Sequence, residues 1–257
     1  MSLRQQAIAL ATLARREYYR VLRIWGQTIL PPVINMALYF IIFGNLIGQR
    51  IGQMGGLDYK QYIAPGLIMM AVITNSYGNV VSSFFSAKIN RHLEEMLVAP
   101  MSNVTIVLGH MAGGIVRGLL VGLAVTAVAL LFTPLSFIHP LITISVFLLC
   151  ASIFSLGGLI NGIMARNFDD VSIIPSFVLQ PLTYLGGVFY SITLLPDLAQ
   201  QISRLNPILY LVNAFRYGIL GVSDVPIGTA YLMMVLCVAG LFGTCVLMLN
   251  RGFRIRE

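Results

Sequence analysis

Six long apolar runs alternate with short polar segments along the 257 residues, at about 29–48, 62–86, 104–132, 138–164, 171–190 and 229–249. Each reaches the roughly 20 residues a helix needs to cross about 30 Å of hydrocarbon. The runs hold no Asp and no Glu, and Arg117 is the one Lys or Arg within them. All nine acids (Glu17, Asp58, Glu94, Glu95, Asp169, Asp170, Asp197, Asp224 and Glu257) fall between or outside the runs. The pattern predicts an all-α membrane protein of six transmembrane helices, with no length left for a separate soluble domain.

The polar segments predict further elements. Residues 4–25 interleave Ile8, Leu13, Tyr18, Leu22 and Trp25 with Arg15, Arg16, Arg20 and Arg23, as expected of a helix lying in the membrane interface. Pro31 and Pro32 mark a break before the first span, because proline suits a first helical turn and disrupts an interior. In segment 88–100, Ile89, Leu93, Met96 and Leu97 follow one helical face. Lys88, Arg91, His92, Glu94 and Glu95 occupy the rest, and Pro100 ends the unit. Such a helix either docks a soluble partner or is a solvated interfacial helix. The long connection 191–228 holds two helical stretches, 197–205 and 208–220, parted by Asn206 and Pro207 and closed by Gly221. The second is apolar but too short to cross, which predicts re-entrant helices before the last span.

Within the spans, the patch Thr74, Asn75, Ser76, Tyr77, Gly78 and Asn79 faces other helices or a wet cavity, because amides in hydrocarbon need partners. Gly109, Gly113, Gly114, Gly118 and Gly122 in the third run permit close helix approach, and Gly158 and Gly162 repeat this in the fourth. For Arg117 the favoured reading is snorkelling to the cytoplasmic surface or an interhelical bond, ahead of a functional role.

Composition changes the picture little: 58% hydrophobic and 10% charged residues exclude an ordinary soluble domain. The net charge of +7 sorts by side of the membrane. With a cytoplasmic N-terminus, Arg4, Arg15, Arg16, Arg20, Arg23, Lys88, Arg91, Arg166, Arg251, Arg254 and Arg256 lie inside, against Arg50, Lys60, Arg204 and Arg216 outside. That asymmetry places both termini in the cytoplasm and argues against a nucleic-acid partner. Cys150, Cys237 and Cys245 sit in apolar runs as packing residues, and His92, His110 and His139 lack metal-ligand spacing, so no metal site is expected. The short apolar stretch at 7–14 is followed by Arg15, Arg16 and Glu17 instead of a cleavage site, so the N-terminus reads as retained. No carboxylate within a span is available to couple an ion, no glycine-rich phosphate loop is present, and no catalytic nucleophile–base pair emerges. Anything the chain moves must draw its energy from elsewhere or pass down a gradient.

Leu179, Leu182, Leu185, Gly186, Val188, Leu195, Pro196, Pro207, Ile208, Tyr210 and Arg216 are spaced as in the signature of membrane subunits of type-2 ABC transporters, and the whole chain resembles that family. The resemblance implies a bacterial inner-membrane permease subunit without a nucleotide site and without its own cofactor; ATP and Mg belong to a separate ABC ATPase. It implies two permease copies as a homodimer with two ATPase copies, and an export function. Segment 88–100, with Lys88, Arg91, His92, Glu94, Glu95, Met96, Leu97 and Pro100, resembles the family's coupling helix to the ATPase. Candidate path-lining residues, chosen by polarity, are Asn35, Asn75, Tyr77, Asn79, Gln180 and Tyr184. All are uncharged, which suits an amphipathic or hydrophobic cargo. The competing reading is a non-transporting membrane anchor or sensor that recruits a cytoplasmic partner, which explains the basic inner face but leaves the polar patch and the re-entrant segment without a purpose. A membrane enzyme is disfavoured by the absence of clustered acids, bases or metal ligands.

Overall fold

The computed structural model describes residues 2–99 and 101–253, the side chain of Leu97 excepted. Pro100, Arg254, Arg256 and Glu257 therefore lie outside the described residues. Five helices among the described residues are long and apolar enough to cross a membrane: Trp25–Ile51, Tyr59–Ile89, Asn103–Phe132, Pro140–Met164 and Ile227–Asn250. They match five of the six apolar runs to within a few residues at each end. The run at 171–190 is helical only in its first part, through α8 (Phe168–Ile174), a π-helical turn (Pro175–Leu179) and α9 (Gln180–Tyr184). The chain then turns at Gly187, whose φ of +73° suits a residue without a side chain.

Helix α1 (Leu3–Arg23) opens with a reciprocal capping box in which the Gln5 amide donates to Ser2 Oγ and the Ser2 amide to Gln5 Oε1. It buries Leu13, Glu17 and Val21, spaced four apart on one face. The break that follows lies at Ile24 (φ −109°, ψ 31°) and not at the two prolines. Pro31 and Pro32 sit inside α2 (Trp25–Tyr39), which runs through a π-helical stretch (Phe40–Ile47) into α3 (Gly48–Ile51). Prolines are tolerated within membrane helices where neighbours satisfy the freed carbonyls, and both prolines border a cleft described below. A two-residue-per-strand hairpin, β1 (Gln53–Met54) and β2 (Leu57–Asp58), turns on Gly55 and Gly56, both at positive φ. The all-helical expectation had no place for it.

Helix α4 (Tyr59–Ile89) is the axle of the fold, buried along most of its length against α6 (Asn103–Phe132), α7 (Pro140–Met164) and α11 (Pro207–Leu220). The glycines of α6 divide between two faces. Gly109 and Gly113 receive Leu13 and Glu17 of α1, while Gly114, Gly118 and Gly122 receive Ser155 and Val80, Ser76, and Phe147. A Cβ at Gly113 would lie 2.7 Å from the Glu17 Cβ, so the glycine is what lets α1 seat. Gln6 Oε1 accepts from the Ser102 amide at 3.2 Å and Thr105 Oγ1 at 2.6 Å. Contacts therefore advance in the same order on both helices, from residue 6 with 102–105 to 13 with 109 and 17 with 113. Helix α1 runs parallel to α6 for about three turns, a closer association than a helix lying flat on lipid would make. Helices α10 (Asp197–Arg204) and α11 precede the last span, α12 (Ile227–Asn250), and α11 is wedged among α4, α7 and α12.

Candidate functional site

A cleft of about 320 Å³ opens between α2, α4, α6 and α9. Its walls are Gln27, Pro31, Pro32, Asn35, Met36 and Tyr39 from α2, Leu67, Met70, Ala71, Thr74 and Asn75 from α4, Arg117 from α6, and Gln180, Thr183 and Tyr184 from α9. Four candidate path residues, Asn35, Asn75, Gln180 and Tyr184, thus meet in one place. Tyr77 and Asn79 do not. Tyr77 is buried against Gly157 and Gly158 of α7, and the Asn79 carbonyl and Oδ1 both accept from Arg20 Nη2, at 3.0 and 2.7 Å. Helical geometry is the cause: Tyr77 lies about 200° around α4 from Asn75, and Asn79 one turn further along.

Polarity alone grouped residues that line this cleft with residues that pack elsewhere. Choosing only uncharged residues also missed Arg117, which faces the cleft. It sits midway along α6, about 21 Å from the start of that helix at 1.5 Å per residue, beyond what snorkelling covers. It makes no hydrogen bond or ion pair among the described residues, and its Nε is buried without a partner. Neither favoured reading of this residue survives.

At the end of the cleft away from Arg117, Tyr39 and Tyr184 join Phe43 and Phe189 in an aromatic cluster with ring centroids 4.7–6.2 Å apart. The Phe189 carbonyl accepts from Tyr59 Oη at 3.0 Å, which pins this cluster to the start of α4.

Sequence reasoning missed a second polar centre. Glu17, counted among the acids outside the runs, is fully buried where α1 meets α4 and α6. Ser83 Oγ donates to its Oε1 at 2.7 Å and Arg20 Nε to its Oε2 at 3.1 Å, with Arg16 at 3.6 Å and His110 Nδ1 at 3.9 Å. The signal available in the sequence was its position four residues after Leu13 and four before Val21, on the face that buries.

The expected coupling segment is two pieces. Lys88 ends α4 and its Nζ donates to the Ile163 and Ala165 carbonyls, both at 3.0 Å, capping the end of α7. Arg91, in the left-handed region at φ 61°, breaks the helix, and α5 (His92–Val98) restarts it. Ile89 is consequently exposed and leaves the expected apolar face. Leu93 is buried with Phe84, Ile106 and Ile163, and Met96 packs against the same cluster. His92, Glu94 and Glu95 face outward, with His92 Nδ1 3.6 Å from Glu95 Oε2.

The signature residues build a scaffold at the opposite end of α4. Arg216, fully buried, donates to the carbonyls of Tyr62 (3.3 Å) and Gly187 (2.7 Å) and to Asn213 Oδ1 (3.3 Å), with its guanidinium 4.0 Å from the Tyr62 ring centroid. Asp224 Oδ2 accepts from Tyr62 Oη, Ser191 Oγ and the Ile192 amide. Gly186 admits Ile208, Val188 lies against Gly66, and Tyr210 Oη donates to the Arg204 carbonyl at 2.9 Å. Leu179 and Leu182 pack on the main core, Pro207 begins α11, and Leu185, Leu195 and Pro196 border the turns beside it. These residues set backbone shape, and none of them lines the cleft.

Comparison with known proteins agrees with this architecture. Residues 8–220 match the family model described as ABC-2 type transporter. The chain is 52% identical over 251 residues to the inner membrane transport permease YadH of Escherichia coli (strain K12), covering 97% of this chain and 98% of that protein. It is 23% identical over 236 residues to nodulation protein J of Rhizobium leguminosarum bv. viciae, covering 91% of each. A multi-pass bundle of apolar helices with a family match across most of its length, this chain belongs to the ABC-2 type transporter family.

Proposed function

We propose that two copies of this permease form a translocation path across the bacterial inner membrane and are driven in the export direction by a separate ABC ATPase, which binds the ATP and Mg. Membership of the family already makes the chain a membrane permease component of an ABC transporter, and its 52% relative is named for the inner membrane. In this reading the run at 171–190 supplies the remaining crossing, α10 and α11 are re-entrant, and both termini face the cytoplasm.

One observation carries the proposal: α4 lines the cleft with Thr74 and Asn75 and ends about 21 Å further along, where Asn90 and Arg91 join it to α5, whose His92, Glu94 and Glu95 face outward. A rigid helix buried along most of its length transmits a push on α5 to the cleft wall. The homodimer is supported by Asn35, Thr74 and Gln180, which are exposed at span depth in the single chain. Polar side chains there need protein or water, and a second copy facing the cleft supplies both. The anchor reading leaves this cleft without a use.

The test replaces Glu94 and Glu95 with Lys in the assembled complex. The nearby ATPase is expected to keep hydrolysing ATP while cargo flux falls by about tenfold or more, the size of a typical coupling free energy. Unchanged flux at unchanged expression would refute the role of α5.

A further inference from the structure

We propose that Arg117 makes the cleft a receptor for the acidic head of an amphiphile, an extension that rests on reading the cleft as the translocation path. The helices around the cleft offer no carboxylate for this arginine: among the described residues no Asp or Glu lies within 4.0 Å of it. Glu17, the carboxylate of the neighbouring junction, is committed to Arg20 and Ser83. A guanidinium held halfway along a membrane helix without a counter-ion is costly, and such residues mark a ligand or ion pathway. The rest of the lining decides the remainder of the ligand. Asn35, Asn75 and Gln180 supply neutral donors and acceptors, and Leu67, Met70 and Tyr39 supply apolar surface that runs towards the aromatic end. From Gln27 to Tyr39 along α2 the cleft is about 18 Å long, enough for a headgroup at Arg117 with an alkyl tail extending away from it. The chemistry is therefore a phosphate, sulfate or carboxylate group joined to an apolar chain, either a cargo or an acidic bilayer lipid.

The experiment uses the purified full chain in nanodiscs of phosphatidylcholine and measures equilibrium binding of octyl phosphate, octyl glucoside and octyltrimethylammonium, with empty discs subtracted. Octyl phosphate is expected to bind at least about tenfold tighter than the other two, the scale of a charge-assisted hydrogen bond. Arg117→Gln should abolish that preference while octyl glucoside binding stays within about twofold, and Arg117→Lys should restore part of it. Equal binding of the three probes, or a preference that survives Arg117→Gln, overturns the proposal. Competition by inorganic phosphate as effective as by octyl phosphate also overturns it, because the tail would then contribute nothing. Adding phosphatidylglycerol to the discs separates the two sources: suppressed octyl phosphate binding identifies a bilayer lipid, and unsuppressed binding a cargo from water, and both retain the site. A cleft-filling Asn75→Trp distinguishes the two levels of failure. If it blocks all three probes but no charge preference exists, the path stands and Arg117 is not its anion receptor. If it blocks none, the path reading itself fails.

Discussion

Glu17 shows how much one carboxylate can organise. It is fully buried, yet its oxygens reach groups on α1 and α4, and Gly113 of α6 has no side chain so that it fits. Removing one partner of a buried pair commonly costs about 3–5 kcal/mol, but Arg16 and Arg20 keep 46% and 30% of their side-chain surface and rehydrate when freed. Glu17→Ala is therefore expected to destabilise the purified protein by about 2 kcal/mol, read as a lowered midpoint of thermal unfolding in detergent. An unchanged midpoint would mean that packing at Leu13 and Val21, without the charge, holds α1 in place.

Elements in this protein are joined by polar ties at both ends of α4. At one end Lys88 caps α7; at the other Arg216 clasps α4 to the Gly187 turn and to α11. Replacing Arg216 by Met keeps much of the volume but leaves the Tyr62 and Gly187 carbonyls without their donor. The loss is expected to be about 3 kcal/mol, concentrated locally. Hydrogen exchange should speed up through residues 186–195 and 207–221 while α6 and α7 keep their protection. Uniform acceleration across the bundle would show instead that the signature stabilises the whole fold.

For the whole molecule, the proposed homodimer carries a prediction about which face the two copies share, the one that bears the cleft. In a variant with Cys150, Cys237 and Cys245 replaced by Ala, a cysteine at Gln180 should cross-link to its counterpart in native membranes. One at Leu232 of α12, exposed at 61%, should face lipid and stay monomeric. The opposite outcome would place the dimer on α12 and leave the cleft open to lipid.

Five of the six expected span positions were legible because apolar length is a local property: a run either is long enough to cover the hydrocarbon or is not, whatever packs beside it. The short helices around Pro207 and the family signature were legible for a related reason, since proline and glycine constrain their own backbone. The break at Ile24 was not, because nothing in that residue forbids a helix; the turn follows from α1 seating on α6 while α2 borders the cleft. The polar lining of the cleft was half legible. Polarity marks an amide in a span as unusual, but whether it lines a cleft like Asn75 or binds a neighbouring helix like Asn79, one turn further on, depends on its place along the axis and on what lies across it. Glu17 and Arg117 are the clearest case. Sequence alone placed the acid outside the membrane helices and gave the base a partner or a surface, whereas the packed bundle buries the acid among cations and leaves the base facing an open cleft. Burial and pairing are relations between helices distant in the chain, so only the tertiary structure could decide them.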